Sequence, residues 1–172
     1  CVTDNLGSSE DDSTAILSVL YNYGIALEFP EKVLQAAENV PETISETDFN
    51  NRLDLRKLPV ITIDGADAKD LDDAVCVEKI DDKYRLSVHI ADVSHYVTEG
   101  SVIDKEALKR ATSVYLVDRT IPMLPERLCN FICSLRPDED KLAYSVIFEM
   151  DDEAVVHNWR LVHTVIRSNR RY

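Results

Sequence analysis

The sequence has no apolar run that approaches the ~18 residues of a transmembrane helix, and its start has no signal-peptide pattern. It also lacks a disulfide framework, because its four cysteines form neither a Cys-x-x-Cys pair nor a regular spacing. Internal repeats and low-complexity runs are absent as well. These absences argue against a membrane protein or a disulfide-rich secreted domain, and they predict a soluble protein of the cytoplasm.

Two further absences concern the ends of the chain. The first residue is Cys1 rather than Met, and no terminating signal accompanies the last residue, Tyr172. We interpret the sequence as a piece of a longer chain, so that an active site can be divided between this piece and the remainder.

Positive charge is scarce in the first 50 residues, where Lys32 alone opposes ten acids and the net charge is −9. The whole chain carries −13, so the rest of it sums to only −4. A strongly acidic chain would argue against a nucleic-acid partner. Here the acidity belongs mainly to the N-terminal segment, and the body of the protein is close to balanced.

The pattern of apolar and capping residues changes near residue 57. Before it, apolar residues at helical spacing predict a first helix that stops at Gly24, and Ser45 with Asp48 forms a capping-box pattern that predicts a short helix to about Leu55. After it, alternating and β-branched segments predict strands at 60–63, 74–79, 84–91, 112–117, 143–150 and 154–166. Helices are predicted near 101–111 and after Pro125, where Leu128, Phe131 and Ile132 share one face. The fold class is mixed α/β (α+β): a helical segment, residues 1–56, precedes a mostly antiparallel twisted sheet flanked by helices, residues 57–172.

Five aspartates lie between Ile61 and Val75, in a segment bounded on both sides by strand-like residues. Unit charges a few Å apart repel one another unless a cation lies between them. An acidic tail would not be placed between two apolar strands, so the pattern indicates a hard divalent cation held by oxygen ligands. Asp64, Asp70, Asp72 and Asp73 are the candidate ligands, whereas Asp67 is expected to be solvated.

Two other acidic motifs fit this segment less well. A twelve-residue calcium loop has glycine at its sixth position and lies between helices, but here Gly65 directly follows the first aspartate and the flanks are strands. A phosphatase with an aspartyl nucleophile would need a second aspartate at the position of Ala66. Metal-dependent hydrolysis is therefore favoured over structural metal binding.

A longer series of segments resembles the ribonuclease II/ribonuclease R exoribonucleases and their RNB catalytic domain. The similar segments are NRLDLR (51–56), TIDGADAKDLDDAV (62–75), VHIADVSHYV (88–97), RATSVY (110–115), IPMLPE (121–126) and CSL (133–135). The resemblance implies an incomplete RNB domain of a hydrolytic 3′→5′ exoribonuclease that releases nucleoside 5′-monophosphates. It implies single-stranded RNA as partner, a monomeric state, and Mg²⁺ as cofactor, with Mn²⁺ as a substitute.

The resemblance also implies roles for individual residues. Asp64 and Asp73 correspond to direct metal ligands, Asp72 to the acid most critical to chemistry, and Asp70 to a further member of the set. Tyr115 corresponds to a tyrosine that stacks on the terminal base, although by itself it reads as a core aromatic. An arginine that assists phosphate cleavage, an S1 domain and cold-shock domains are expected outside this chain, so the chain alone is expected to be inactive.

Several residues also have simpler interpretations. His89, Asp92 and His95 suggest zinc, but strand alternation places His89 and Asp92 on opposite faces, and a hydrogen-bonded histidine with a strand-end aspartate is the preferred interpretation. Cys129 and Cys133 share a helix face and are expected to pack. The basic end, residues 167–171, either is solvated or contacts phosphates. The rival function is a non-catalytic metal- or RNA-binding module, in which the loss of one aspartate would be expected.

Overall fold

The computed structural model describes residue 7 and residues 12–117 and 119–172; the side chains of residues 12 and 13 are not described. Two helices begin the described chain, α1 (Asp12–Asn22) and α2 (Glu31–Glu38). Gly24 follows α1 with φ +67°, a left-handed conformation that suits glycine and ends the helix as predicted. Val33 and Ala37, one turn apart on α2, are buried in the hydrophobic core.

The chain after α2 departs from the predicted helix. Ser45 and Asp48 form the expected capping box, but the helix is a short 3₁₀ turn, Glu46–Phe49. The prediction of a helix to Leu55 is wrong beyond Phe49, because Asn51 has φ 62° and the next residues form strand β1 (Leu53–Asp54). Strand β1 pairs in parallel with a distant strand near the C-terminal end, a contact that local pattern does not reveal.

Five strands form the body of the structure: β2 (Val60–Thr62), β3 (Asp73–Ile80), β4 (Lys83–Ala91), β7 (Asp140–Met150) and β8 (Val156–Arg171). Strands β2, β3, β4 and β7 follow one another as antiparallel neighbours. Strand β8 pairs antiparallel with β7 and, from Ser168 onward, parallel with β2. The sheet is therefore closed into a barrel-like ring. The expectation of a mostly antiparallel sheet is confirmed, and its closure follows because β8 spans 16 residues and reaches both β7 and β2.

The remaining elements lie between β4 and β7. Helices α3 (Val93–Tyr96) and α4 (Val102–Arg110) come first, and the Ser101 hydroxyl caps α4 by accepting a hydrogen bond from the Asp104 amide at 3.1 Å. The predicted strand 112–117 is limited to β5 (Val114–Tyr115), which pairs with β6 (Thr120–Ile121).

A π-helical segment, Arg127–Ile132, follows β6. Leu128 and Ile132 are buried as predicted, but Phe131 is 53% exposed, so the expectation that it shares their face is wrong. The cause is the wider turn, visible in the hydrogen bond from the Cys133 amide to the Leu128 carbonyl five residues earlier. Across the described residues, no helix has both the length and the apolar character needed to cross a bilayer.

Candidate active site

The four candidate aspartates lie on one loop and the strand that follows it. We call residues 63–72, which join β2 to β3, the aspartate loop. Its ends lie close together because β2 and β3 are antiparallel neighbours, with Ile61 opposite Val75. The Asp64 amide donates a hydrogen bond of 2.9 Å to the Tyr172 carbonyl, which extends the pairing of β2 with β8 to the first aspartate.

The aspartates differ in exposure. Asp64 and Asp70 are half-buried, whereas Asp72 and Asp73 are exposed, and Asp67 is exposed as expected. The chain enters β3 at Asp73, while the carbonyl of Asp72 accepts a hydrogen bond from the Ala91 amide at 2.9 Å. The two adjacent acids thus lie where an irregular loop meets a regular strand.

One buried residue anchors the second half of the loop. Leu71 is 2% exposed, and its carbonyl accepts a hydrogen bond of 2.8 Å from the Leu135 amide. The Ser134 hydroxyl accepts from the Leu71 amide at 3.1 Å and donates to the Lys69 carbonyl at 2.8 Å. The second half of the loop is therefore fixed by the segment that follows the π-helix.

The charge of the cluster has no cation partner in the part of the chain that the structure describes. Within residues 12–117 and 119–172, none of the four candidate aspartates forms an ion pair with Lys, Arg or His. Although Asp72 keeps an exposed edge, desolvation raises the pKa of its carboxyl, and the charges of Asp70, Asp73 and Asp64 raise it further. The cluster holds negative charge that a cation would stabilise.

The donor set suits a hard divalent ion. Asp64 Oδ2 is buried and has no hydrogen-bond partner, which is costly for a carboxylate oxygen unless it serves as a ligand. In the part of the chain that the structure describes, no three His, Cys, Asp or Glu side chains are gathered around one point as a finished metal site. Mg²⁺ does not need such a cage, because it retains waters and uses one or two carboxylates together with substrate phosphates.

Tyr115 is joined to this cluster by a hydrogen bond. Its hydroxyl donates to Asp70 Oδ2 at 3.0 Å, and that bond raises the pKa of the phenol. The side chain is 65% exposed, so the core-aromatic interpretation is wrong. A cavity of about 520 Å³ opens beside the pair, lined among others by Asp70, Tyr115, Lys69, Arg119, Glu126 and Asn130.

A second cavity, of about 840 Å³, does not offer the same chemistry. It lies along the π-helical segment, on the side lined by Phe131 and Ile132. Its basic residues are already paired with acids, as in the contacts of Arg127 with Glu42 and Lys141 with Glu139. The smaller cavity beside the aspartates is therefore the better candidate for a functional pocket.

The three residues that suggested zinc bond to other side chains, and Arg52 contacts both Asp92 and His95. His89 is fully buried inside the ring of strands, where Nδ1 is 2.7 Å from the Ser145 hydroxyl, and burial lowers its pKa to about 4. Asp92 accepts a hydrogen bond from Arg52 at 2.7 Å, and His95 Nε2 is 3.3 Å from Asp48. The preferred interpretation of His89 as a hydrogen-bonded strand residue is confirmed.

Cys129 and Cys133 border the hydrophobic core as expected, the first half-buried and the second buried.

Two residues that hold the aspartate loop were not identified as such from the sequence. Ser134 appeared only within the CSL motif, and it lies 63 residues from Leu71 in the chain. The basic end was expected to be solvated or to contact phosphates. Instead Arg167 pairs with Asp140 at 2.7 Å, and Arg171 donates to the carbonyls of Ala68, at 2.9 Å, and Gly65. Local spacing carries no signal for contacts between segments this far apart.

Comparison with known proteins agrees with this arrangement. The family model described as RNB domain matches residues 52–172, a range that contains the aspartate loop and strands β1 to β8. The chain belongs to the RNB domain family. The resemblance of the motifs at 62–75 and 88–97 to that family is thereby confirmed.

Relatives of this RNB chain are longer than it is. Ribonuclease R 1 of Lactococcus lactis subsp. lactis (strain IL1403) is 48% identical over 171 residues, which are 99% of this chain and 21% of the relative. A structure of Mycoplasma genitalium RNase R in complex with ribose methylated single-stranded RNA superposes with a TM-score of 0.93 at 33% identity. The match covers 97% of this chain and 26% of that one. The chain thus spans about a quarter or less of these relatives.

The same fold also occurs in a protein described as a pseudonuclease, yeast Ssd1. The match has a TM-score of 0.83 at 20% identity, and it covers 97% of this chain and 22% of the other. At this identity the likeness concerns the fold alone. An RNB fold is therefore not by itself evidence of catalysis, which has to be argued from the aspartate loop.

Proposed function

We propose that this RNB chain carries the metal-binding acids of a hydrolytic 3′→5′ exoribonuclease that releases nucleoside 5′-monophosphates from single-stranded RNA. The observation that carries the proposal is the uncompensated charge of Asp64, Asp70, Asp72 and Asp73, with Asp64 Oδ2 buried and unbonded. A fold that needed these acids only for stability would pair them with cations, as it does elsewhere. A monomeric state and a cytoplasmic location stay predictions from the sequence.

We assign Asp64 and Asp73 as direct ligands of Mg²⁺ or Mn²⁺, with Asp70 completing the set. A bound divalent ion supplies an activated water and stabilises the oxygen that leaves the phosphorus. We assign Asp72 as the acid most critical to the reaction, as the resemblance to the family implies, and the charges of the other three carboxylates raise the pKa of its carboxyl. The chain itself fixes the carboxylates through backbone hydrogen bonds of the aspartate loop, so that little reorganisation is required when RNA binds.

The cavity beside Tyr115 is suited to the terminal nucleotide. An exposed tyrosine ring offers a stacking surface for any base, typically worth ~1–3 kcal/mol per base. The hydrogen bond of the Tyr115 hydroxyl to Asp70 supports this role, because it holds the ring beside one of the acids. The Mycoplasma genitalium RNase R of similar fold is described as a complex with single-stranded RNA, which supports RNA as the partner of this chain.

The alternative is a non-catalytic metal- or RNA-binding module of the same fold. The similar fold of yeast Ssd1, which is described as a pseudonuclease, is an example of such a fold in a protein of that kind. The presence of all four candidate aspartates, each without a cation partner among the described residues, favours the catalytic role.

A chimaeric enzyme tests the proposal. The corresponding segment of the Lactococcus lactis ribonuclease R 1 is replaced by this chain, and digestion of 5′-labelled single-stranded RNA is followed with Mg²⁺. We expect the chimaera to shorten the RNA from its 3′ end and the isolated 172-residue chain to leave it intact. Asp72→Asn in the chimaera should lower the rate by at least about 10²-fold, the scale seen when one transition-state contact is removed.

The matched control is Asp67→Asn. Asp67 lies in the same loop, is exposed and is not assigned to the metal, so its variant should retain the rate of the chimaera. A chimaera that folds, as judged by its melting temperature, and digests RNA equally well with Asp72→Asn would contradict the proposed function.

A further inference from the structure

Each half of the aspartate loop is held by one side chain from outside it. The second half is held by Ser134, which is fully buried in the segment after the π-helix. Its hydroxyl accepts from the Leu71 amide at 3.1 Å and donates to the Lys69 carbonyl at 2.8 Å. These two backbone groups flank Asp70, so one hydroxyl fixes the peptide units on both sides of that carboxylate.

Two backbone hydrogen bonds hold the residues next to those that Ser134 contacts. The Leu135 amide donates to the Leu71 carbonyl at 2.8 Å, and the Ala91 amide donates to the Asp72 carbonyl at 2.9 Å. The backbone from Lys69 to Asp72 is thus attached to two different elements. Because only one CH₂ group separates an aspartate carboxylate from its Cα, the side chain has few rotamers once the backbone is fixed, and this attachment limits where Asp70 and Asp72 can point.

The first half of the loop is held by Arg171, the last residue of β8. One guanidinium nitrogen donates to the Ala68 carbonyl at 2.9 Å and the other to the Gly65 carbonyl. The next residue, Tyr172, accepts a hydrogen bond from the Asp64 amide at 2.9 Å. The end of β8 therefore fixes the turn that follows Asp64.

The choice of acceptors by Arg171 is informative. An arginine beside several aspartates would be expected to pair with a carboxylate, which binds a guanidinium through two parallel hydrogen bonds. Arg171 bonds to backbone carbonyls instead, and it forms no ion pair with the described acids. Arg171 thus fixes the loop without occupying a carboxylate oxygen, which leaves the oxygens of Asp64 and Asp72 available to another ligand.

We propose that Ser134 and Arg171 are positioning residues of the aspartate loop, which set the carboxylates of Asp70 with Asp72 and of Asp64, respectively, for a divalent cation. Neither residue touches the substrate or the metal in this scheme. The inference rests on the proposed metal site and extends it, because it names what holds the ligands. Side chains that orient metal ligands typically change metal affinity by 10–100-fold when they are removed.

The first test compares Ser134→Ala with Ser145→Ala. Both serines are fully buried and bonded, but Ser145 bonds to His89 at 2.7 Å and Thr164 at 2.6 Å, not to the loop. Mn²⁺ binding to the 172-residue chain is followed by paramagnetic broadening of amide signals, and loop order by amide hydrogen exchange. Ser134→Ala should weaken Mn²⁺ binding about 10-fold or more and speed exchange at Leu135 and Ala91, while Ser145→Ala leaves both unchanged.

The second test compares Arg171→Met with Arg170→Met, and it remains decisive if Ser134→Ala does not fold. Arg170 is the exposed neighbour, with its guanidinium 5.2 Å from the Tyr172 ring centre. Arg171→Met should speed exchange of the Asp64 and Ala68 amides and weaken Mn²⁺ binding, whereas Arg170→Met should not. Exchange at Leu71 should stay slow in both variants, because Ser134 is intact.

The outcomes separate the two proposals. A wild-type chain that does not bind Mn²⁺ at the loop contradicts the metal site before any variant is compared. Wild-type binding that Ser134→Ala and Arg171→Met leave unchanged overturns the positioning role alone. Equal losses in Ser134→Ala and Ser145→Ala, or in Arg171→Met and Arg170→Met, also overturn it, because they show a general structural effect.

Discussion

The acidic side chains of this molecule fall into two groups, which differ in whether a cation is bonded to them. Around β1 and the start of β7, they are bonded to arginine: Asp92 to Arg52 at 2.7 Å, and Asp140 to Arg56 at 2.9 Å. In the aspartate loop, the acids have neighbours of the same charge and no cation partner among the described residues. The difference separates acids that stabilise the fold from acids that are kept available for a ligand.

The pKa values follow the same division. Burial by itself raises the pKa of Asp92, but the hydrogen bonds from Arg52 and Ser94 and the charge of Arg52 bring it below its ordinary value. Hydrogen bonds from Arg56 lower the pKa of Asp54 to about 2. Asp72 has the opposite shift, because desolvation and three neighbouring carboxylates raise its pKa. The loop therefore keeps a destabilising charge, as functional sites often do.

The largest expected effect comes from breaking the arginine-bonded group. Arg52 and Asp92 are nearly buried, with side chains 9% and 3% exposed. Arg52→Met should lower the free energy of unfolding by about 3–5 kcal/mol, since it leaves the Asp92 charge buried without its main partner. Urea denaturation followed by circular dichroism measures this.

Arg85→Met is the control for that variant. Arg85 lies 3.8 Å from Glu78 in a partly exposed pair, so its removal should cost less than about 1 kcal/mol. Equal losses for Arg52→Met and Arg85→Met would mean that the two kinds of pair do not differ as described.

A smaller effect, of opposite sign, is expected in the aspartate loop. Asp72→Asn should raise the stability of the metal-free chain at pH 7 by up to about 1 kcal/mol, because it removes repulsion between charges a few Å apart. Acid should abolish this gain, since the raised pKa of Asp72 means that the wild-type carboxyl is neutralised as the pH falls through it.

Asp92→Asn should respond to pH in the other direction. The lowered pKa of Asp92 contributes stability that is present above the ordinary value of 3.8 and is lost as the pH falls through the folded pKa. The loss of unfolding free energy caused by Asp92→Asn should therefore be largest at pH 7 and become smaller towards pH 3. Unfolding curves of the wild type and both variants at pH 7, 5 and 3 give the difference in free energy of unfolding between each variant and the wild type. Differences that change with pH in the same direction for the two variants would contradict the contrast.

The smallest effect concerns the hydroxyl of Tyr115. Its hydrogen bond to Asp70 competes with a cation for the same carboxylate oxygen. Tyr115→Phe should therefore strengthen Mn²⁺ binding by about 2–5-fold, the lower part of the range for one hydrogen bond. Tyr115→Ala should give the same gain and, in the chimaera, leave longer RNA end-products, because it also removes the stacking ring. End-products that match those of Tyr115→Phe would contradict the stacking role.

Sequence and structure agree best where local pattern decides. The strands on both sides of the aspartate loop, the stop at Gly24 and the helix that begins after Ser101 were all predictable, because each depends on residues within a few positions of one another. The prediction of a helix to Leu55 was wrong because β1 pairs with a segment 111 residues away. The prediction for Phe131 was wrong because the segment is π-helical, with Leu128 and Ile132 buried. In the first case, pairing with a distant strand overrode local helix propensity. In the second, the wider helical turn changed which residues share a face.

The sequence by itself determined which acids are present, their spacing between two apolar strands, and the motifs that resemble the RNB family. Only the tertiary structure decided which acids receive an arginine and which remain unpaired. It also decided that Ser134, 63 residues from Leu71, and Arg171, 103 residues from Ala68, hold the loop. The physical reason is that these contacts form when β8 closes the ring of strands and the segment after the π-helix packs beneath Leu71, and neither event is encoded in local periodicity.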